Sequence, residues 1–139
     1  MLTDLDAFPT SEKFLNFKVK GCNDAHLVFC PTIIKQPPLY HIGIGGWGNT
    51  RSIVAREREF YEYVDQIDQS GMMNCNSYQP YWVSWENGYI RMGRGNVIDV
   101  DILLSYTEQC PFRVQNIELG ADQGEIINWT IIKSGKIML

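Results

Sequence analysis

Residues able to do chemistry concentrate in one segment, Leu39-Tyr-His-Ile-Gly-Ile-Gly-Gly-Trp-Gly-Asn-Thr-Arg-Ser-Ile-Val54. Gly43, Gly45 and Gly48 satisfy the dinucleotide fingerprint G-x-G-x-x-G. That fingerprint works only where a strand feeds the glycine turn and a helix follows, its N-terminus meeting a pyrophosphate. Here the residues after Gly48 read as another strand, and no alternation of strands and helices follows. The glycines therefore read as a bend that uses positive φ and close backbone approach. Trp47, Asn49 and Arg51 offer an aromatic plate beside an amide and a guanidinium, which is the chemistry of a recognition loop.

Other candidate chemistries lack parts. Cys22-x3-His26-x3-Cys30 carries ligand-type residues, but each four-residue step along a strand covers about 13 Å. Three such groups cannot share one zinc ion, and a Cys22–Cys30 disulfide is equally out of reach. Cys22, Cys30, Cys75 and Cys110 leave three complete pairings open, or four thiols; the even count leans toward disulfides of a secreted protein. There are two histidines, His26 and His41, and no G-x-S-x-G nucleophile elbow. Asp99 and Asp101 read as solvated same-face neighbours, and Glu86 sits beside a hairpin turn. The Asn128-Trp-Thr130 sequon matters only in a secreted chain. No catalytic residue, metal site or cofactor is expected.

The elements that must position these groups are short strands. Residues 1–12 read as a tail or edge segment. Leu15, Phe17 and Val19 alternate with polar residues, as do Ala25, Leu27 and Phe29, predicting a hairpin that pairs Val19 with Ala25 and turns at Gly21-Cys22-Asn23. Asp24 and His26 then fall on its polar face. Strands are expected over 39–44 and around Ile53 and Ala55; 56–69 reads as a short helix or a charged edge strand, and 70–78 as loop. Asn87-Gly88 predicts a type I′ hairpin pairing Val83 with Met92, with Val83, Trp85, Ile90 and Met92 in the core. Its other face, with Trp82, Ser84, Glu86, Tyr89 and Arg91, is expected to be wet. Strands over about 97–105, 112–119 and 125–133 complete the set, with Ile98, Val100, Ile102 and Leu104 inward.

Composition agrees. Ile and Val number 23 against 13 Ala and Leu, which favours pleated structure over helix. The 139 residues suffice for one domain with a real core. The expected fold is an all-β, antiparallel β-sandwich, jelly-roll-like, of nine or ten short strands. A net charge of −4 without a basic stripe argues against nucleic acid and anionic membranes, and no apolar run reaches spanning length.

Asp24-Ala-His-Leu27, Ile42-Gly-Ile-Gly-Gly-Trp-Gly-Asn-Thr-Arg-Ser52 and Tyr81-Trp-Val-Ser-Trp-Glu-Asn-Gly88, in this order and followed by Gly93, Gly95 and Gly124…Trp129, resemble the farnesoic acid O-methyltransferase-like domain over about residues 12–133. The family name implies methyl transfer from S-adenosyl-methionine to a sesquiterpenoid acid. The resemblance also implies a module that appears in extracellular and innate-immune proteins and beside small repeats associated with sugar binding, repeats that this sequence does not carry. The expectation carried forward is a secreted, non-catalytic lectin with a defence or cell-recognition role. It is expected to bind a glycan, first a galactose-containing one, through Asp24, His26, Trp47, Asn49, Arg51, Trp82 and Glu86, and to act as a homodimer or larger assembly. The methyltransferase and a protein-interaction module are the alternatives.

Overall fold

The computed structural model describes residues 13–133 and 136–137, so the segment expected over 1–12 lies outside the described residues. Two antiparallel sheets face each other. The first holds six strands in the order β11 (Lys136–Ile137), β10 (Asn128–Lys133), β1 (Phe14–Gly21), β6 (Asn74–Ser84), β7 (Tyr89–Arg94) and β8 (Ile102–Thr107). The second holds five: β5 (Tyr61–Ile67), β4 (Arg51–Glu57), β3 (Leu39–Gly45), β2 (Ala25–Cys30) and β9 (Asn116–Ala121). The inward residues of both sheets, among them Leu15, Phe17, Leu27, Phe29, Ile42, Val83 and Met92, form one continuous buried cluster. The all-β sandwich expected from composition and alternation is the fold.

The first expected hairpin is not formed. β1 pairs with β6 and β10, whereas β2 pairs with β3 and β9 in the opposite sheet. Alternation identifies the buried face of a strand but not the neighbour beside it. The apolar sets of β1 and β2 meet the same core from opposite sides, and the chain changes sheet at Gly21–Asp24. There the Cys22–Cys75 disulfide joins the corner to the start of β6, while Cys30 is a buried free thiol and Cys110 an exposed one.

The second hairpin has the predicted register, with Trp82 opposite Gly93, Val83 opposite Met92 and Ser84 opposite Arg91. Asn87 and Gly88 take the positive φ values, 53° and 76°, that a type I′ turn requires. Its supposedly wet face needs correction at two positions, while Glu86 and Tyr89 are exposed as expected. Trp82 is completely buried and Ser84 nearly so. The Trp82 ring lies over Gly93, where any Cβ would fall inside it, and its Nε1 donates to the Val100 carbonyl at 2.9 Å. The segment following β7 has therefore folded over this face. Positive φ at Gly95, Asp99 and Asp101 breaks the alternation expected from residue 97 onward. Val100 and Ile102 consequently point to solvent, and of the four residues expected inward only Leu104 is buried.

Residues 61–67 resolve as a charged edge strand, and β6 begins at Asn74 inside the stretch read as loop. A charged edge blunts pairing with other chains.

Candidate functional site

The site lies on the outer face of the five-stranded sheet. Because Ala25, Leu27, Ile42 and Ile44 face inward, the intervening His26, His41 and Gly43 face out. His26 lies opposite Gly43, and His41 opposite Ala55. Gly43 puts nothing between His26 and Ile53; a Cβ there would sit 3.7 Å from His26 Nδ1 and 3.3 Å from Ile53 Cγ1. That bare strip is part of the floor of a cavity of about 390 Å³.

One wall is aromatic. Trp47 meets Tyr63 edge-on with ring centroids 5.8 Å apart, and Tyr63 meets Tyr61 edge-on at 5.6 Å. Trp47 is 52 % exposed and the two tyrosines are about equally open, so their rings are available to a ligand. Trp47 itself holds φ at +50°, between Gly45 at +68° and Gly48 at +69°. A bulky residue in the left-handed region carries strain of about 1–3 kcal/mol and marks a place where position has been selected over backbone comfort. Gly45 is needed for a different reason: a Cβ there would sit 2.5 Å from Met73 Cγ.

The rest of the lining is largely polar. Asp122 Oδ1 meets His26 Nε2 at 2.6 Å, His26 Nδ1 meets His41 Nε2 at 2.7 Å, and His41 Nδ1 meets the Tyr61 hydroxyl. The protons follow from chemistry. A carboxylate only accepts, so His26 donates from Nε2. Neutral His26 must then accept at Nδ1 from the Nε2–H of His41. His41 Nδ1 in turn accepts from the Tyr61 hydroxyl. Burial pushes His41 down to about 4, helped by His26 and Lys35, which keeps this imidazole neutral. Burial pushes the Tyr61 phenol up to about 12, with Tyr63 and Glu57 adding to it, so it keeps its proton. Asp24, on the same rim, is raised by burial and by the neighbouring Asp122 carboxylate, with His26 opposing. A second cavity of about 660 Å³ adjoins the first and shares His26, His41, Tyr61 and Asp122 with it.

Of the residues expected to bind ligand, Asp24, His26 and Trp47 line the cavity. Arg51 backs it: its guanidinium lies 5.0 Å from the Trp47 ring centroid and is held by Asp68 at 2.7 Å. Asn49 is occupied elsewhere, donating from Nδ2 to the Met73 carbonyl at 2.8 Å and accepting from the Met73 N–H at 3.0 Å. It fastens the Trp47 turn to the segment before β6. Trp82 is buried in the other sheet, and Glu86 is exposed at the β6–β7 turn of that sheet, so neither joins this constellation. His41, Tyr61, Tyr63 and Asp122 were not anticipated. The alternation of Tyr61 and Tyr63 was the available signal, hidden by the undecided status of 56–69.

The glycine turn does not fit a nucleotide. Gly46–Asn49 makes a single turn and β4 starts at Arg51. The Gly45 N–H is committed to Ser52 Oγ at 3.0 Å and the Gly46 carbonyl to the Thr50 N–H at 3.0 Å. Among the described residues, no group of three or more His, Cys, Asp or Glu side chains could hold a metal ion.

The family model described as farnesoic acid O-methyl transferase matches residues 4–134. The chain belongs to that family. No match was found among curated proteins. Within the family's matched region, the glycine-tryptophan segment supplies Gly43 to the floor of the cavity and Trp47 to its aromatic wall.

Proposed function

We propose that the protein is a carbohydrate-binding module, and that the cavity on the five-stranded sheet is its sugar site. The observation that carries this is the mixed lining: the rings of Trp47, Tyr63 and Tyr61 and the polar groups of Asp24, His26, His41 and Asp122 border one cavity of about 390 Å³. A sugar ring needs an aromatic surface for its apolar C–H face and planar polar groups for its hydroxyls. Galactose presents such an apolar face and is the first candidate. A glycan array followed by calorimetry on the hits tests the proposal. Trp47→Ala should lose binding while keeping the fold, and unchanged binding in that variant would remove the cavity from the account.

The family name favours a second reading, methyl transfer to farnesoic acid. One feature of the site speaks against it: the substrate's carboxylate would enter a rim already carrying Asp24 and Asp122. Calorimetry with S-adenosyl-methionine decides: cofactor binding together with a blank glycan array would reverse the choice. Blanks in both would favour a protein-interaction module.

Secretion belongs to the same proposal, supported by the Cys22–Cys75 disulfide, since such bonds persist in oxidising compartments. So does assembly into a homodimer or larger, which would raise weak single-site affinity through avidity. Light scattering on the purified chain tests that part, and a monomer at working concentration would remove it.

A further inference from the structure

The chain Asp122–His26–His41–Tyr61 has a direction, and that direction can reverse. With both histidines neutral, every hydrogen points toward Asp122: Tyr61 donates to His41, His41 to His26, and His26 to the carboxylate. Now let one proton be added. A proton from solvent bonds to the Tyr61 oxygen on its cavity side. The original hydroxyl proton passes to His41 Nδ1, breaking O–H and forming N–H. The proton on His41 Nε2 passes to His26 Nδ1 in the same manner. The products are a His26 imidazolium beside Asp122, a His41 still neutral but in its other tautomer, and a neutral Tyr61 whose O–H has swung into the cavity. One proton has been taken up and no group is left with two donors facing each other.

We propose that this relay makes Tyr61 a proton-controlled contact: its hydroxyl presents an acceptor oxygen to a bound ligand when His26 is neutral and a donor O–H when His26 is charged.

The surroundings determine where the charge resides. His26 receives the carboxylates of Asp24 from the β1–β2 turn and of Asp122 and Glu125 from the segment after β9. His41 faces Lys35 from the β2–β3 connection, with Tyr61 and Tyr63 of β5 beside the same cavity. Glu57 of β4 and Glu118 of β9 border the second cavity. Asp122 bonds His26 and Asp24 acts on it directly, so anionic charge favours the proton on His26, whereas Lys35 opposes a positive charge on His41. Burial likewise keeps His41 from becoming the imidazolium. Passing the charge to His26 while His41 changes only its tautomer satisfies both constraints.

The relay rests on the hydrogen-bond geometry; its consequence for a ligand rests on the sugar-site proposal, and the experiment separates the two. The full chain, labelled with ¹⁵N-histidine, is followed by NMR across about pH 5–8, the range in which histidines report physiological switching. His41 should be the Nε2–H tautomer at the upper end and the Nδ1–H tautomer at the lower end, with the midpoint at which His26 becomes doubly protonated. His26→Gln, checked for folding by its amide spectrum, should fix His41 in one tautomer. A wild-type His41 that keeps Nε2–H throughout, or that itself becomes the imidazolium, overturns the relay. Lactose serves as the ligand probe. Its affinity should change by about 3–10-fold across that midpoint, the worth of one hydrogen bond, and the change should vanish in Tyr61→Phe. Tautomer exchange without lactose binding supports the relay and removes the galactose proposal; lactose binding without tautomer exchange does the reverse.

Discussion

Replacing both halves of the Cys22–Cys75 disulfide with serine isolates one contribution to stability. Both side chains lie at exposed positions, so the substitution removes little packing and leaves no buried polar group. What it removes is a covalent link across 53 residues of sequence. In the chain-entropy model a loop of that length restricts the unfolded state by about 14 cal/mol/K, or about 4 kcal/mol at 25 °C. For a chain of this size that corresponds to a fall in Tm of about 12–16 °C. Urea denaturation of the wild type and of Cys22→Ser/Cys75→Ser, under non-reducing conditions, reads the difference directly. The variant should also show a larger dependence on urea, because its unfolded chain exposes more surface. Adding reductant to the wild type should reproduce the loss, whereas alkylating Cys110 under non-reducing conditions should not. A double variant within about 1 kcal/mol of wild type would refute the loop-entropy argument.

The two tryptophans singled out as ligand plates should separate cleanly. Trp82→Ala, which empties a completely buried site, should cost about 3–5 kcal/mol in chemical denaturation, while exposed Trp47→Ala should cost less than about 1 kcal/mol. Asn49→Ala should destabilise by about 2–3 kcal/mol, since it unfastens two backbone groups of Met73 and puts alanine at a φ of +65°. A loss of only a few tenths in that variant would mean that the turn is held by something else. Glu108 is buried and shared by Arg56 at 3.1 Å and Arg58 at 3.3 Å; burial alone would raise its carboxyl, but the two guanidinium groups hold it below its usual 4.5. A depressed folded-state value adds stability that is complete above the unfolded-state value and is lost as pH falls through the folded one. Glu108→Gln should therefore lower stability by about 1–2 kcal/mol at neutral pH and flatten the decline seen in the wild type below about pH 4.5. An unchanged acid limb would contradict the assignment.

The parts of this fold legible in the sequence are those written locally. A two-residue Asn87-Gly88 turn dictates its own register, because both positions need positive φ and the strand period does the rest. The alternation of β1 and of β2 likewise identifies their buried faces correctly. Partnership is not local. β1 and β2 look like a hairpin because three turn residues separate two matched apolar sets, yet the pairing energy of each is satisfied by strands from residue 39 onward. Trp82 failed for a related reason. Its place on an alternating strand says outward, but the segment carrying Val100 folds over that outward face and buries it, and no local pattern encodes a cover supplied by another element.

The same distinction explains which part of the site could be anticipated. Asp24, His26 and Trp47 are recognisable one at a time as polar-face or loop residues. Their partners become partners only through the order β5-β4-β3-β2-β9, which lays Tyr61 and Tyr63 at one end, His41 and His26 in the middle and Asp122 just beyond the other end. Placing β2 beside β1 rather than β3 separates the two histidines, and the relay disappears with them. Gly43 is what lets the arrangement function as a cavity. It lies opposite His26 and beside Ile53, so even a methyl group there would enter the space between the imidazole and the isoleucine. The dinucleotide-like spacing thus has an explanation that needs no nucleotide: Gly43 clears a floor, Gly45 permits contact with Met73, and Gly48 helps turn the chain so that Trp47 stands over that floor. Three glycines with three separate mechanical duties produce the same spacing as a phosphate cradle. Only the strand that follows them, in place of a helix, tells the two apart.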